Sequence, residues 1–543
     1  MSGTESVSTT VAACAALLRS CRAQRRDDPK QALRAALAVV NCARAPPNLA
    51  LQAHVQAAEL LFEHTEEAGM AVQQLRTALG RCDGAPASVT TPVLCASACV
   101  LQGLVQRGEL ELAGQLLEPL LAALLLQRTD TVDASVDPLP LLVCHVRVLQ
   151  VVLLDAEGRL GAAAASLPAA REAAQALKAT PAAPDAPHAG WAQADTLLRL
   201  LTLLEAALRW RRGELDEAEQ CCTAALAAEA EVAPAGGGKA AKAAKATKAT
   251  QEASAGVVGA AVTNDLLLLR AGLHLVRLDC TAAMRDLATA RGATAGSAAW
   301  HLRMVHAALA LEAPDAAEQS AQLAATAARH DGHRVWAELL LLLLRRRAGT
   351  AASPPKRGAL QAELRALAAR RGASQQALLL ALLSLLQTDA KAGDAAESDE
   401  AEAELAACVE VMEAFTASDS ELGSAVLTTL ALATVARHTR TPSDCGAGVG
   451  SSGGGAVGSA VAEVVGAKRK RTEDALMSAL ILAARMQDAH TQRVLLEELV
   501  THHAPDDPAQ AEEYAHHLRA KEETIDRAVG DAKRTATFRQ LFG

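Results

Sequence analysis

Four stretches of this sequence hold residue types that could do chemistry. Gly448, Gly450 and Gly453 fit G-x-G-x-x-G, the spacing that lets a backbone approach a dinucleotide pyrophosphate. That chemistry needs a strand before the glycines and a helix after them. Here the preceding residues are helical in pattern, and the glycines lie in a Gly/Ser-rich run, Thr441–Gly466. Gly236-Gly237-Gly238-Lys239 is followed by Ala240, where a P-loop places Ser or Thr on magnesium. Both runs read as linkers. His502-His503 and His516-His517 could offer neutral imidazoles to zinc. Without H-E-x-x-H or paired cysteines, they read as surface histidines on two helices. No G-x-S-x-G is present, and no nucleophile, base and orienting acid share a convincing spacing. The expectation is a protein with no enzymatic activity, no cofactor, no metal and no small-molecule substrate.

The fourth stretch is Lys468-Arg469-Lys470-Arg471. Four adjacent cations beside a flexible run can extend into a receptor groove, as a nuclear-import signal must. The alternative is a solvated charge run that starts a helix. The import reading predicts a nuclear protein.

Composition narrows the class. The chain has 543 residues, half of them hydrophobic, with only four Phe, four Trp and one Tyr. Alanine and leucine dominate, which favours helix outside the Gly/Pro segments and predicts a core of Leu packed on Ala. A net charge of −9 argues against direct wrapping of nucleic acid, though not against work near chromatin through a partner. Twelve scattered cysteines form no C-x-x-C; inside helices they act as small hydrophobes, and a reducing compartment is expected. No run of about 18–20 apolar residues lacks charges and turn formers, so no transmembrane helix is expected.

The elements that would position any site are helical hairpins. In Asp195–Leu226, Leu197, Leu200, Leu201, Leu204 and Leu208 fall at helical spacing. Gly213 breaks the pattern, and Leu215, Ala218, Cys222 and Ala225 make the face of a second helix. Small Ala206 and Ala218 let the two helices approach closely. The stretch resembles a tetratricopeptide (TPR) hairpin, and neither helix can bury its stripe without neighbouring pairs. Its signature recurs. A turn glycine precedes an alanine by five residues at Gly108/Ala113, Gly158/Ala163 and Gly213/Ala218, and Ala71 and Ala78 hold the small positions of an earlier hairpin. The turns are 50 and 55 residues apart, against about 34 in a regular TPR array. The fold expected is all-α, a TPR-like α-solenoid superhelix with long, irregular repeats.

In chain order, residues 1–27 are a flexible or helical segment. Residues 28–232 hold the N-terminal repeats, with helices over Pro29–Val40, Leu49–His64, Gly69–Leu79, Val93–Gln106, Ala113–Gln127, Leu139–Leu154 and Leu160–Leu177. Gly84–Pro92 reads as a loop and Pro181–Gly190 as a linker. Residues 233–262 are a low-complexity Lys/Ala/Gly linker. Residues 263–438 hold further repeats, including Asn264–Leu278, Thr281–Ala290, Ser297–Leu311 and a helix capped by Asp315. Residues 439–471 are a linker with the basic cluster. Residues 472–543 are C-terminal helices, whose last, charged member suits a cap with a wet outer face.

Several N-terminal stretches carry a family likeness: Pro29-Lys30-x-x-Leu33, Ala45-Pro46-Pro47, Ala53-His54-Val55-Gln56, Leu60-Leu61-Phe62-Glu63-His64-Thr65 and Ala71-Val72-Gln73-Gln74-Leu75. Together they resemble the first repeats of the cohesin-loading-factor family, the Mau/Scc-type TPR subunit of the cohesin loader. The tail Thr491–Arg527 is similar in character. The resemblance covers roughly residues 28–127 and 475–530. It implies a non-catalytic nuclear scaffold whose superhelix encloses the extended N-terminal segment of the large HEAT-repeat loader subunit, the Nipped-B type. Cohesin would be engaged indirectly and chromatin through the complex, for sister chromatid cohesion. The groove residues that meet the partner are not assigned by it. A generic TPR adaptor in another assembly, such as a ubiquitin-ligase or transport complex, is the competing reading.

Overall fold

The computed structural model describes residues 2–83, 85–127, 139–179, 194–232, 245–294, 297–328 and 473–542 except 475, 482 and 506, with a few positions between 333 and 362. The described residues are helical with no strand. The helices are α1 Ser2–Gln24, α2 Pro29–Val40, α3 Pro47–His64, α4 Ala68–Leu79, α5 Ala87–Arg107, α6 Leu110–Gln127, α7 Leu139–Ala156, α8 Leu160–Ala179, α9 Ala194–Arg211, α10 Leu215–Val232, α11 Lys245–Val276, α12 Cys280–Thr294, α13 Ala298–Ala310 and α14 Pro314–Ala327. After these come α15 (residues 476–485), α16 Ala489–His503, α17 Pro508–Lys533 and α18 Ala536–Phe542.

Local chemistry sets many of the ends. Asp28, Asp488 and Asp507 each accept a hydrogen bond from the backbone N–H three residues on, and Ser297 does the same for α13. Such caps contribute about 1 kcal/mol each. Pro29 and Pro508 follow their caps at the first helical position, where the missing N–H costs nothing. Asp315 is not a cap: α14 starts at Pro314 with no side-chain cap, and Asp315 sits in its first turn. The expected loop Gly84–Pro92 is also mostly helix, because α5 starts at Ala87 and runs through Pro92. Pro92 lies in the second turn, inside the helix, where it removes one hydrogen bond and crowds the carbonyl four residues back. The expected linker over 233–262 gives way to α11 from Lys245, consistent with the high helix propensity of alanine and lysine.

Among the described residues, six take a left-handed conformation, and each ends a helix. They are Gly108, Gly158, Gly213, Leu278, Glu312 and Gln487, with φ between 53° and 80°. Around five of them the same pair of hydrogen bonds closes the turn. The N–H of Glu109 donates to Leu104 O at 2.9 Å and that of Gly108 to Val105 O at 3.1 Å; the 213, 278, 312 and 487 turns repeat this pattern. These are Schellman closures. Five residues after each lie Ala113, Ala163, Ala218, Ala283, Ala317 and Gln492, all buried. The five-residue offset read from glycines thus extends to three turns that lack one. Leu278 and Glu312 are 34 residues apart, an interval shorter than the sequence intervals of 50 and 55.

The chain divides into two compact units, residues 1–157 with 162–201, and residues 158–161 with 202–543. In the first, α1, α3, α5 and α7 form one row of neighbours and α4 and α6 another. Its largest core joins α3 to α7 through Leu51, Leu75, Leu94, Leu101, Leu116 and Leu120 with Ala71, Ala78 and Ala113 between them. Helix α5 over Ser88–Arg107 and α7 are long and apolar enough to cross a membrane, where the sequence reading expected no such helix. Half of each is buried within the unit, and Leu94, Leu101, Leu104, Val146 and Leu153 belong to its core.

In the second unit the C-terminal helices lie against the hairpin turns. Met486 packs at Gly213, its Sδ 2.9 Å from where a Cβ would stand. Leu278 packs on Ala489, Ile525 and Val529, and Glu312 pairs with Arg493 at 3.7 Å. Helix α18 seats Phe538, Leu541 and Phe542 against Cys280, Met284 and Leu311. The charged α17 does bury only a few residues, Ala511, Ile525, Val529 and Ala532, but it covers turns and α12 rather than standing free at an end.

Candidate interaction site

A cleft of about 340 Å³ opens between α1, α3 and α5 in the first unit. Its floor and walls are apolar: Cys21 from α1, Val55 and Leu60 from α3, and Val89, Pro92 and Val93 from α5. Its rim is polar, with Arg22, Arg25, Gln52, Gln56 and Glu59. The helical period explains the division. Gln52, Gln56, Glu59 and Glu63 fall on one stripe of α3, beside the apolar stripe that carries Leu51, Val55 and Leu61 into the core.

The rim groups differ in how fully they are satisfied. Arg25 bridges Glu59 at 2.5 Å and Glu63 at 2.7 Å. The hydrogen bond to Glu63 is the largest cause holding its guanidinium above the usual range. The pair is partly exposed, so its worth to stability is under about 1 kcal/mol. Arg22 donates to Gln52 Oε1 at 3.2 Å. Gln56 Oε1 is buried and has no hydrogen-bond partner. Cys21 is buried, and that burial pushes its thiol up, so it serves as a small apolar wall. Cys82 and Cys144 are likewise pushed up to about 11 and Cys222 to about 12 by burial.

Just beyond the cleft, α3 and α5 close together. Phe62 stands over Gly103, and the Arg107 guanidinium sits 4.0 Å from the centre of the Phe62 ring and donates to Phe62 O at 3.0 Å. Behind the cleft, His54 is buried between Gln74, at 2.7 Å from Nδ1, and Arg81, at 3.2 Å from Nε2. An arginine can only donate, so Nε2 accepts and Nδ1–H donates to Gln74 Oε1. Burial, the largest cause, and the Arg81 cation hold His54 below the usual imidazole range, while the Gln74 bond works the other way.

The residues singled out in the sequence fall in three groups. Ala71, Ala78, Ala113, Ala163, Ala206 and Ala218 are fully buried between helices, and Gly108, Gly158 and Gly213 hold the left-handed turns. Ala225 is only half-buried, at the edge of the α9–α11 core. The two histidine pairs separate by environment. His516 and His517 are exposed, but His503 is buried, not on the surface as expected: it packs 5.4 Å from the Tyr514 ring and 3.6 Å from Glu473. Among the described residues no three His, Cys, Asp or Glu side chains gather as metal ligands would. Gly236–Lys239, Gly448, Gly450, Gly453 and Lys468–Arg471 lie outside the described residues, as do the Pro181–Gly190 linker and most of 329–472. Sequence reasoning missed the cleft. The usable signal was the polar stripe Gln52, Gln56, Glu59 on an otherwise apolar helix.

No known protein family matches this chain, and no curated protein matches it.

Proposed function

We propose that this chain is a non-catalytic TPR-like scaffold of the cohesin loading complex, gripping the extended N-terminal segment of the Nipped-B-type HEAT-repeat loader subunit. One observation carries the proposal. The stretch that resembles the cohesin-loading-factor repeats, Pro29 to Leu75, supplies α3, the middle helix of the three that line an open cleft with an apolar floor and a polar rim. A row of first helices with such a face suits an extended peptide. Ordering a long flexible segment costs entropy, so contacts over a large area are needed to offset it.

The TPR-like reading has further support. A left-handed turn, then a buried small residue five positions on, recurs along both units, and the 34 residues from Leu278 to Glu312 equal one TPR repeat. On this reading the other intervals are repeats with inserted linkers. The protein works in the nucleus, reaches cohesin indirectly and meets chromatin through the complex. Purification of the tagged full chain from its own cells should recover a very large HEAT-repeat protein together with cohesin subunits. Recovery of another partner set, such as ubiquitin-ligase subunits, would move the chain to the generic adaptor class.

A further inference from the structure

We infer that Arg303, held against Trp210 in the second unit, binds an aspartate or glutamate side chain from an extended segment of a partner protein, while a lysine or arginine of that segment reaches Asp265. The inference rests on the scaffold reading above and names the side chains that the scaffold reads.

Three helices meet at the site: Trp210 lies on α9, Gly272 on α11 and Arg303 on α13. A Cβ on Gly272 would stand 2.6 Å from Arg303 Nη1 and 2.7 Å from Trp210 Cη2, so the missing side chain leaves the room in which guanidinium and indole meet. The guanidinium sits 5.5 Å from the centre of the Trp210 ring, close enough for a cation–π contact. That contact steadies the long side chain but leaves its N–H groups unused. Among the described residues none gives Arg303 a hydrogen bond or an ion pair, and its nitrogens keep accessible surface. Its neighbours differ: Arg270 is held by Asp286, and Arg277 by Asp216 and Glu219. Arg303 is half-buried, and desolvation pulls its guanidinium below the usual range. A carboxylate accepting from the planar fork would supply the opposite charge that the chain itself does not.

Two further groups narrow the ligand. His306 lies one turn further along α13, and desolvation, then the Arg303 cation, hold it below the usual imidazole range. Neutral near pH 7, it adds a hydrogen-bonding group without a second charge. Asp265 lies two turns before Gly272 on α11, on the same face and roughly 10 Å away. It is exposed, and no cation among the described residues pairs with it. A phosphate or a nucleic-acid backbone gathers several cations, so one cation on a face that also bears a carboxylate disfavours either. An extended chain rises about 3.3 Å per residue, and opposite charges three residues apart therefore span the two groups. The pattern selected is an acidic residue with a basic one three positions away.

The test pans a displayed library of random decapeptides on the full-length wild-type chain, on Arg303→Met and on Asp265→Asn. Peptides selected by wild type but not by Arg303→Met should carry Asp or Glu with Lys or Arg three residues away. Each should bind Arg303→Met about tenfold or more weakly, the size of one charged hydrogen-bonded contact. Asp265→Asn should keep the acidic preference and drop the basic one. Arg303→Met should also raise the melting temperature, because it removes a half-buried charge that nothing neutralises. A lowered melting temperature would make Arg303 a structural group and overturn the proposal. So would a selection that yields no binders, binders that Arg303→Met all keeps, or peptides displaced by millimolar inorganic phosphate. The loader segment separates this from the scaffold reading. If wild type and Arg303→Met bind that segment with equal affinity, the Arg303 site fails and the scaffold reading stands. If wild type selects acidic peptides through Arg303 but binds no loader segment, the scaffold reading fails and the site stands.

Discussion

Phe62 and Gly103 fix how closely α3 approaches α5: a methyl group on Gly103 would stand 2.5 Å from Phe62 Cζ and 2.6 Å from Cε1. The ring cannot simply swing aside, because Arg107 sits over it. Gly103→Ala should therefore destabilise the chain by about 1–3 kcal/mol, the usual range for overpacking. The double variant with Phe62→Leu should recover much of the loss. Additive losses in the double-mutant cycle would show that the two residues are not coupled.

The left-handed turns predict opposite signs at two positions. At Gly213 a side chain meets both backbone strain and Met486 Sδ, so Gly213→Ala should cost at least about 1 kcal/mol. Gln487 holds the same conformation with an exposed side chain. Gln487→Gly should raise the urea midpoint, with a gain near 1 kcal/mol. A lowered midpoint for Gln487→Gly would mean its side chain stabilises the turn by more than the strain costs.

His54 gives a pH dependence whose sign can be worked out. Its folded pKa lies below the unfolded value, so the unfolded chain binds the extra proton first. The stability His54 contributes is fully present above the unfolded pKa of about 6.5 and is lost as pH falls toward its folded pKa. The wild-type urea midpoint should fall between pH 7.5 and pH 5. His54→Gln keeps an acceptor for Arg81 and cannot titrate, so its midpoint should fall less steeply. Parallel pH curves would place the effect elsewhere.

Ile525 is fully buried against Leu278, Ala489 and Val529. Ile525→Ala should cost about 2–4 kcal/mol, and limited proteolysis should then cut the second unit sooner. If cleavage of the second unit is unchanged, α17 is not part of its cooperative structure.

Alanine at all four of Lys468, Arg469, Lys470 and Arg471 should reduce nuclear accumulation of a fluorescent fusion. Unchanged localisation would remove the import role.

Much of the hairpin plan could be read from residues alone. Apolar periodicity and the proline and glycine breaks placed α2 to the residue and most other helices to within a few. Glycine marked three left-handed turns, but Leu278, Glu312 and Gln487 gave no such mark; Ile525 covers Leu278 and Arg493 pairs with Glu312, whereas Gln487 is exposed. Pro92 misled because α5 continues through it despite its cost inside a helix, and Asp315 because a proline had already taken the start of α14. The polar stripe Gln52, Gln56, Glu59 was the one trace of the cleft in the sequence, since the cleft itself depends on the spacing of three helices from different hairpins.

The cover that α15 to α18 provide has a consequence for synthesis. Gly213, Leu278 and Glu312 leave the ribosome long before Met486, Ile525 and Arg493 exist, so their turns stay wet until the end of translation. Until then Cys280, Met284 and Leu311 lack Phe538 and Phe542 and offer a greasy surface to any neighbouring nascent chain. A stop after α14 but before α15 would thus yield a product with this surface left open, a target for chaperones.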